Sequence, residues 1–226
     1  MNKTKKFFAV NDTNWSHRWG YKDSAFVSKQ KKAVTLSGNR YEICSKNLPN
    51  LIPFAEEMLD IEILPKPQIK EVEKKYISEK KVNKDFMDEL VSVFDEDRYC
   101  STDEERLLHS HGQTTSDEVY KVLYSKLDSF IDLVFYIESE NEAKKLIELA
   151  KKHNVCLIPF GGGTSVSNAL KIPKSEKRMV VSVDTRRMNK IKELDEKNLL
   201  ATVESGILGI DLEKQLNDRG YTAGHE

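Results

Sequence analysis

The run Val155-Cys156-Leu157-Ile158-Pro159-Phe160-Gly161-Gly162-Gly163-Thr164-Ser165-Val166 constrains this chain more than any other stretch. Its apolar first part reads as a buried strand. The strand meets a proline and then opens into three consecutive glycines. Without Cβ atoms, such a triplet reaches backbone conformations closed to other residues. It also lets main-chain N–H groups come close to a ligand, and consecutive N–H groups facing one concavity make an anion site. Thr164 and Ser165 add hydroxyl donors. The set suits a diphosphate.

Two familiar phosphate motifs do not fit. No lysine follows the glycines, so this is not the phosphate loop of the nucleotide triphosphatases. Gly161 and Gly163 supply G-x-G, but Val166 stands where the dinucleotide fingerprint needs its third glycine. Asp184 lies at about the distance of that motif's ribose-binding acid. However, the short stretch from Thr164 to Leu170, with Pro173 after it, leaves no room for the required helix. Asp184 is instead expected to cap a strand end or the following turn.

At 226 residues the chain is long enough for one or two domains and a sizeable core. About a third of its residues are charged, yet the net charge is −1. That balance argues against nucleic acid or a polybasic membrane patch. Lys70 to Lys84 reads as a solvated linker. Cys44, Cys100 and Cys156 are odd in number and far apart, which fits neither a zinc site nor a disulfide framework and points to a reducing compartment. No stretch has the length and apolarity of a bilayer span. His109 and His111 lack a carboxylate or cysteine at ligand spacing, so they are read as structural or channel residues and no metal is expected.

Two textures divide the chain. Residues 1–126 read as a mainly helical region with an aromatic arm: Trp15, Trp19, Tyr21 and Phe26 lie between Asn11 and Phe26. A turn between short extended pieces is expected at Ser37–Arg40. Helices are expected over Leu48–Leu59, Asp85–Phe94, Thr102–His109 and Asp117–Leu127. Residues 127–226 alternate. Strands are expected over Asp132–Ile137, Val155–Ile158 and Met179–Asp184. A helix capped by Ser139 and Glu142 follows the first strand. A hairpin spans Ile191–Glu204, and a helix over Asp211–Asp218 ends at Gly220. The whole reads as α+β, opening with a βαβ unit.

Several segments together carry a family likeness: Pro159 to Val166, Asp184-Thr185 with Met188-Asn189, Ala201 to Gly206, and Gly220 to Glu226. They resemble the vanillyl-alcohol-oxidase type (PCMH type) of FAD-binding domain. Trp19 to Ser24, Gly38 to Tyr41, Leu48-Pro49 and the Glu104-Glu105-Arg106…His111-Gly112 segment narrow the likeness to the alkylglycerone-phosphate synthase (alkyl-dihydroxyacetonephosphate synthase) family. The segment from Ile61 to Lys84 resembles the family least. Ile131 and Ile137 stand where the family often has proline.

This resemblance implies a flavoprotein transferase of ether lipid synthesis that uses FAD. It would exchange the acyl chain of acylglycerone phosphate for a long-chain alcohol, with no net redox change. It implies that Pro159, Phe160, Gly161, Gly162, Gly163, Thr164 and Ser165 bind the cofactor, and that His225 and Glu226 begin a second flavin-contacting loop. It further implies an N-terminal fragment without the family's catalytic residues, inactive alone, and a full-length protein that is peroxisomal, peripheral to the membrane and homodimeric. Another FAD-linked oxidase, such as a 2-hydroxyacid dehydrogenase, would share the glycine loop but not the Trp19-Gly20-Tyr21 arm. A non-catalytic fragment is the remaining alternative.

Overall fold

The structure is a computed structural model that describes residues 16, 18, 20–29, 32–64 and 76–224. Expectations resting on Trp15, Trp19, Pro65, Pro67, residues 70–75, His225 and Glu226 lie outside the described residues.

A four-stranded sheet organises the chain. Its order is β4 (Tyr99–Cys100), β5 (Leu133–Tyr136), β7 (Val180–Asp184), β6 (Cys156–Phe160). β5, β7 and β6 run parallel, and β4 joins antiparallel at the edge. The expected βαβ unit forms through α5 (Glu140–Lys152), but β7 inserts between its two strands. Both faces of the sheet are covered, as a parallel sheet requires. Leu133, Phe135 and Val181 face a core shared with Leu146 and Leu149 of α5 and with Phe86 and Leu90 of α2 (Lys84–Val93). The alternate residues Val134, Tyr136, Phe160 and Val180 face a second core with Leu170 and Ile172. The first core therefore continues past position 126 into the N-terminal region.

Local chemistry fixes the helix ends. Ser139 Oγ accepts the Glu142 amide at 3.2 Å. The return bond runs from the Glu138 amide to Glu142 Oε2 at 2.8 Å, one residue earlier than in a reciprocal capping box. Ile147, expected on the apolar face of α5, is exposed. Asn83 and Thr102 cap α2 and α3 (Asp103–Leu108) with side-chain oxygens. Buried Arg106 ties three segments together. Its guanidinium donates to the Ile131 and Ser78 carbonyls at 2.8 Å and to Asp103 at 2.9 Å. Asp132 clamps the start of β5 to β7 by accepting the Val180 amide at 2.8 Å.

The N-terminal region, expected to be mainly helical, also carries the short extended pieces expected beside the Ser37–Arg40 turn, and these pair into a sheet. β1 (Phe26–Ser28), β2 (Val34–Leu36) and β3 (Asn47–Leu48) form a small antiparallel sheet around the expected turn at Gly38. Strands of two or three residues are too short to show alternation. α1 (Leu51–Leu59) forms as expected, but Phe54, Met58 and Leu59 are exposed and none of its residues is buried. α4 (Ser116–Tyr124) follows α3. The C-terminal part holds the hairpin β8 (Ile191–Asp195) and β9 (Leu200–Val203), then α6 (Gly209–Asn217). Gly220 follows at φ +82°, the left-handed conformation that ends helices.

Candidate functional site

The carboxyl ends of parallel strands are where α/β sheets bind ligands. Here three side chains stand in a row at those ends. Tyr136 of β5 and Phe160 of β6 are both register partners of Asp184 of β7. The two-residue repeat puts all three on one face. Gly161 follows Phe160 directly, so the row forms the floor beneath the glycine loop.

The floor is a buried polar network. Asp184 accepts from Arg186 Nη2 at 2.6 Å and from the Arg186 amide at 2.8 Å. His109, the last residue past α3, faces Asp184 Oδ2 with Nε2 at 3.0 Å. Its Nδ1 lies 2.8 Å from the Glu105 carbonyl. Burial pushes the Asp184 carboxyl up. The hydrogen bonds from His109 and Arg186 and the charge of Arg186 outweigh that and hold it at about 2, below its usual 3.8. Tyr136 donates to Glu105 Oε2 at 2.6 Å. Burial, then the Glu105 charge and this hydrogen bond, raise the phenol so that it stays a neutral donor.

Phe160 connects the network to the loop. Its ring centroid lies 4.2 Å from that of His109, and the Arg186 guanidinium carbon sits 4.9 Å above it. A Cβ on Gly163 would come within 2.6 Å of Phe160 Cζ, and Gly163 has φ +71°. Only glycine suits both demands. The Gln113 amide donates to the Gly163 carbonyl at 2.6 Å, and Thr114 Oγ1 donates to the Thr164 carbonyl at 2.6 Å. A Cβ on Gly112 would meet Ser165 Cβ at 2.8 Å and the Thr115 side chain. The loop is thus held from below by its carbonyls and by residues 109–114.

The other face of the loop is open. Among the described residues, no amide N–H of residues 161–167 donates to a protein acceptor. A Cβ built on Gly161 or Gly162 meets nothing within 4 Å. One cavity of about 500 Å³ is lined by Pro159, Gly161 to Ser167 and Leu170. A second of about 760 Å³ reaches Gly162 from the side of Arg186, Gly206 and Tyr21. Unpaired amides at small residues beside a cleft suit a phosphate anion.

Residues 131–226 match the family described as an FAD binding domain. The chain is 37% identical over 213 residues to an alkyldihydroxyacetonephosphate synthase of Caenorhabditis elegans, which covers 92% of this chain and 34% of that protein. It is 34% identical over 233 residues to the Trypanosoma brucei brucei protein of the same name, covering 100% of this chain and 37% of that one. A solved alkyldihydroxyacetonephosphate synthase superposes with a TM-score of 0.84 at 28% identity, over 100% of this chain and 41% of the other.

The chain is thus similar to alkyldihydroxyacetonephosphate synthases over nearly all of its own length. It spans about a third of the length of the curated relatives it matches. The cofactor of the matched domain is FAD. The open amides of the glycine loop fit that cofactor's diphosphate.

Sequence reasoning found the loop and singled out Asp184 and His109, but not their connection. Asp184 does cap the turn after β7, as expected, through the Arg186 amide. It also pairs with Arg186 and His109, which lies 75 positions away. Arg186 was missed. The available signal was a carboxylate closing a strand of buried apolar residues, which needs a partner. His111 is fully buried among the Ser16 and Gly112 carbonyls. Among the described residues, no group of three or more His, Cys, Asp or Glu is placed to hold a metal. The three cysteines are free thiols.

Proposed function

We propose that this protein serves ether lipid synthesis by exchanging the acyl chain of acylglycerone phosphate for a long-chain alcohol. The observation that carries the reading is the likeness to alkyldihydroxyacetonephosphate synthases across nearly the whole chain, N-terminal region included. A flavin domain alone accounts only for residues 131–226. Residues 131–226 carry the match to the flavin domain, and α2 and β4 of the N-terminal region pack into the same core and sheet.

In this reading Pro159 to Ser165 hold the FAD diphosphate. The amides of Gly161, Gly162 and Gly163 and the hydroxyls of Thr164 and Ser165 face its oxygens. Pro159 and Phe160 fix where the loop leaves the sheet. Bound FAD supplies the electrophilic ring system on which the exchange depends. The chain's own task is to bind and orient: the Asp184–Arg186–His109 floor sets the height of the loop. Catalytic groups are assigned to none of the described residues. Peroxisomal location, peripheral contact with the membrane and a homodimer belong to the same proposal and follow only from the family resemblance.

The test is an exchange assay on the full-length gene product loaded with FAD. Acylglycerone phosphate and a radiolabelled long-chain alcohol are supplied together. Label is expected in a phosphorylated lipid that survives alkaline hydrolysis, because an ether resists base and an ester does not. Label recovered only as free alcohol, together with reduction of the flavin by a 2-hydroxy acid, would assign the protein to the oxidases.

A further inference from the structure

A cavity of about 300 Å³ is lined by residues of α4 and by the segment that leaves the glycine loop. It shares no lining residue with either cavity at the loop itself. Its volume is at the lower end of the ~300–1,000 Å³ common for ligand pockets. Two turns fix the segment: the Asn168 amide donates to the Ser165 carbonyl at 2.8 Å, and the Lys171 amide to the Asn168 carbonyl at 3.0 Å. Leu127 and Ile172 are buried and give the cavity its apolar lining.

Three lysines and three carboxylates line the cavity, and they are not equally engaged. Glu118 is buried and accepts the Gly112 amide at 2.7 Å. Asp128 accepts from Lys121 at 3.1 Å. That hydrogen bond and the charge of Lys121, then the charges of Lys174 and Lys171, hold the Asp128 carboxyl below its usual range, so all three ammonium groups act on one carboxylate. Among the described residues, Lys171, Lys174 and Asp117 have no ion-pair partner, and the side chains of Ser129 and Asn168 have no hydrogen-bond partner. A ligand therefore meets two open ammonium groups, a hydroxyl and an amide, against one open carboxylate. A phosphate group uses that set: ammonium binds it as a point charge, and hydroxyl and amide donors complete its oxygens.

We propose that this cavity binds a phosphate monoester, held by Lys171 and Lys174 with Ser129 and Asn168 as hydrogen-bond donors, and opposed by Asp117. A soluble phosphate and a lipid headgroup offer the same chemistry here. The site is separate from the exchange reaction proposed above and stands or falls without it.

The experiment titrates inorganic phosphate into the FAD-saturated full-length gene product by calorimetry, at constant ionic strength. FAD occupies the glycine loop, so its amides do not take up the probe. Saturable binding is expected. Lys171→Gln and Lys174→Gln are each expected to weaken it about fivefold, the scale of one lost hydrogen bond between charged groups at a partly exposed site. Asp117→Asn removes a repelling charge and is expected to tighten binding about twofold. Lys177 is exposed but does not line the cavity, and Lys177→Gln is expected to change nothing. All four positions are exposed, so the fold tolerates these changes. No saturable binding would overturn the proposal. Binding unchanged in both Lys171→Gln and Lys174→Gln would place the phosphate elsewhere and overturn it too, and equal weakening by Lys177→Gln would reduce it to general surface charge. Sedimentation with vesicles of phosphatidylcholine, with and without phosphatidic acid, identifies the source. Capture by phosphatidic acid that both lysine variants reduce assigns the site to a lipid headgroup. Without such lysine-dependent capture, intact phosphate binding assigns it to a soluble phosphate.

Discussion

Replacing Asp184 with alanine is expected to lower the thermal midpoint by about 10 °C. The carboxylate is fully buried and pairs with Arg186 and His109, which are themselves buried. Removing one partner of a buried pair leaves the other charge without compensation, at a cost of about 3–5 kcal/mol. For a domain of this size that corresponds to a drop of about 2–4 °C per kcal/mol. The effect should reach the loop, since Arg186 and His109 also pack on Phe160, which sets Gly163. Circular dichroism melts report the first consequence, and flavin titration the second. The same pair makes stability depend on acid. The folded carboxyl sits at about 2 against an ordinary 3.8. Its contribution, about 2 kcal/mol, is therefore complete above roughly pH 4 and is lost as pH falls towards 2. The difference between the unsubstituted protein and Asp184→Asn should shrink over that interval. A midpoint within 2 °C or so of the unsubstituted protein for Asp184→Ala would mean the pair is not buried as described.

Gly206→Ala is expected to be comparably damaging for a different reason. Its Cβ would overlap the carbonyl carbon and oxygen of Thr185 and approach the Arg186 Cα to 2.7 Å. Every one of these atoms is backbone, so no side-chain rotation relieves the overlap. Overpacking usually costs about 1–3 kcal/mol, and a clash with backbone belongs at or above the top of that range. The Gly206 amide also donates to the Met188 carbonyl at 2.9 Å, which holds the start of the C-terminal segment against the turn after β7. Forcing them apart moves Arg186, and with it the floor of the loop. Urea unfolding should show a lower midpoint at unchanged slope. An unaltered midpoint would show that the turn yields freely.

Much of this arrangement is legible in the chain itself. The apolar run before Gly161, the polar turn Asp195 to Asn198 between two apolar pairs, and the serine and glutamate opening α5 are local signals, and each became the element it implies. Pairing order is not local. That β7 lies between β5 and β6 depends on which apolar strand best fills the centre, and all three are similarly apolar. The turn at Gly38 marked extended pieces beside it, but β1 to β3 are too short for periodicity to give their bounds or pairing. The floor of the site was hidden for a related reason. Asp184 and His109 were each visible as polar residues in apolar company, but only the fold brings strand ends and the segment after α3 together. Within the Glu104-to-Gly112 segment, Glu105 and His109 join the polar network at the strand ends, and Gly112 lies against Ser165 of the glycine loop.

The three glycines of the loop separate structure from binding. Gly163 is required by its own fold, whereas Gly161 and Gly162 meet nothing that excludes a methyl group and lack the left-handed φ that would strain one. The most direct measurement is therefore FAD affinity and thermal midpoint for Gly162→Ala in the full-length gene product. If main-chain amides here hold the diphosphate, the methyl group blocks their approach. Affinity should fall about 10- to 100-fold, the scale of one or two lost hydrogen bonds to a charged group, while the midpoint of the flavin-free protein stays within a degree or so. FAD binding as tight as in the unsubstituted protein would contradict the account.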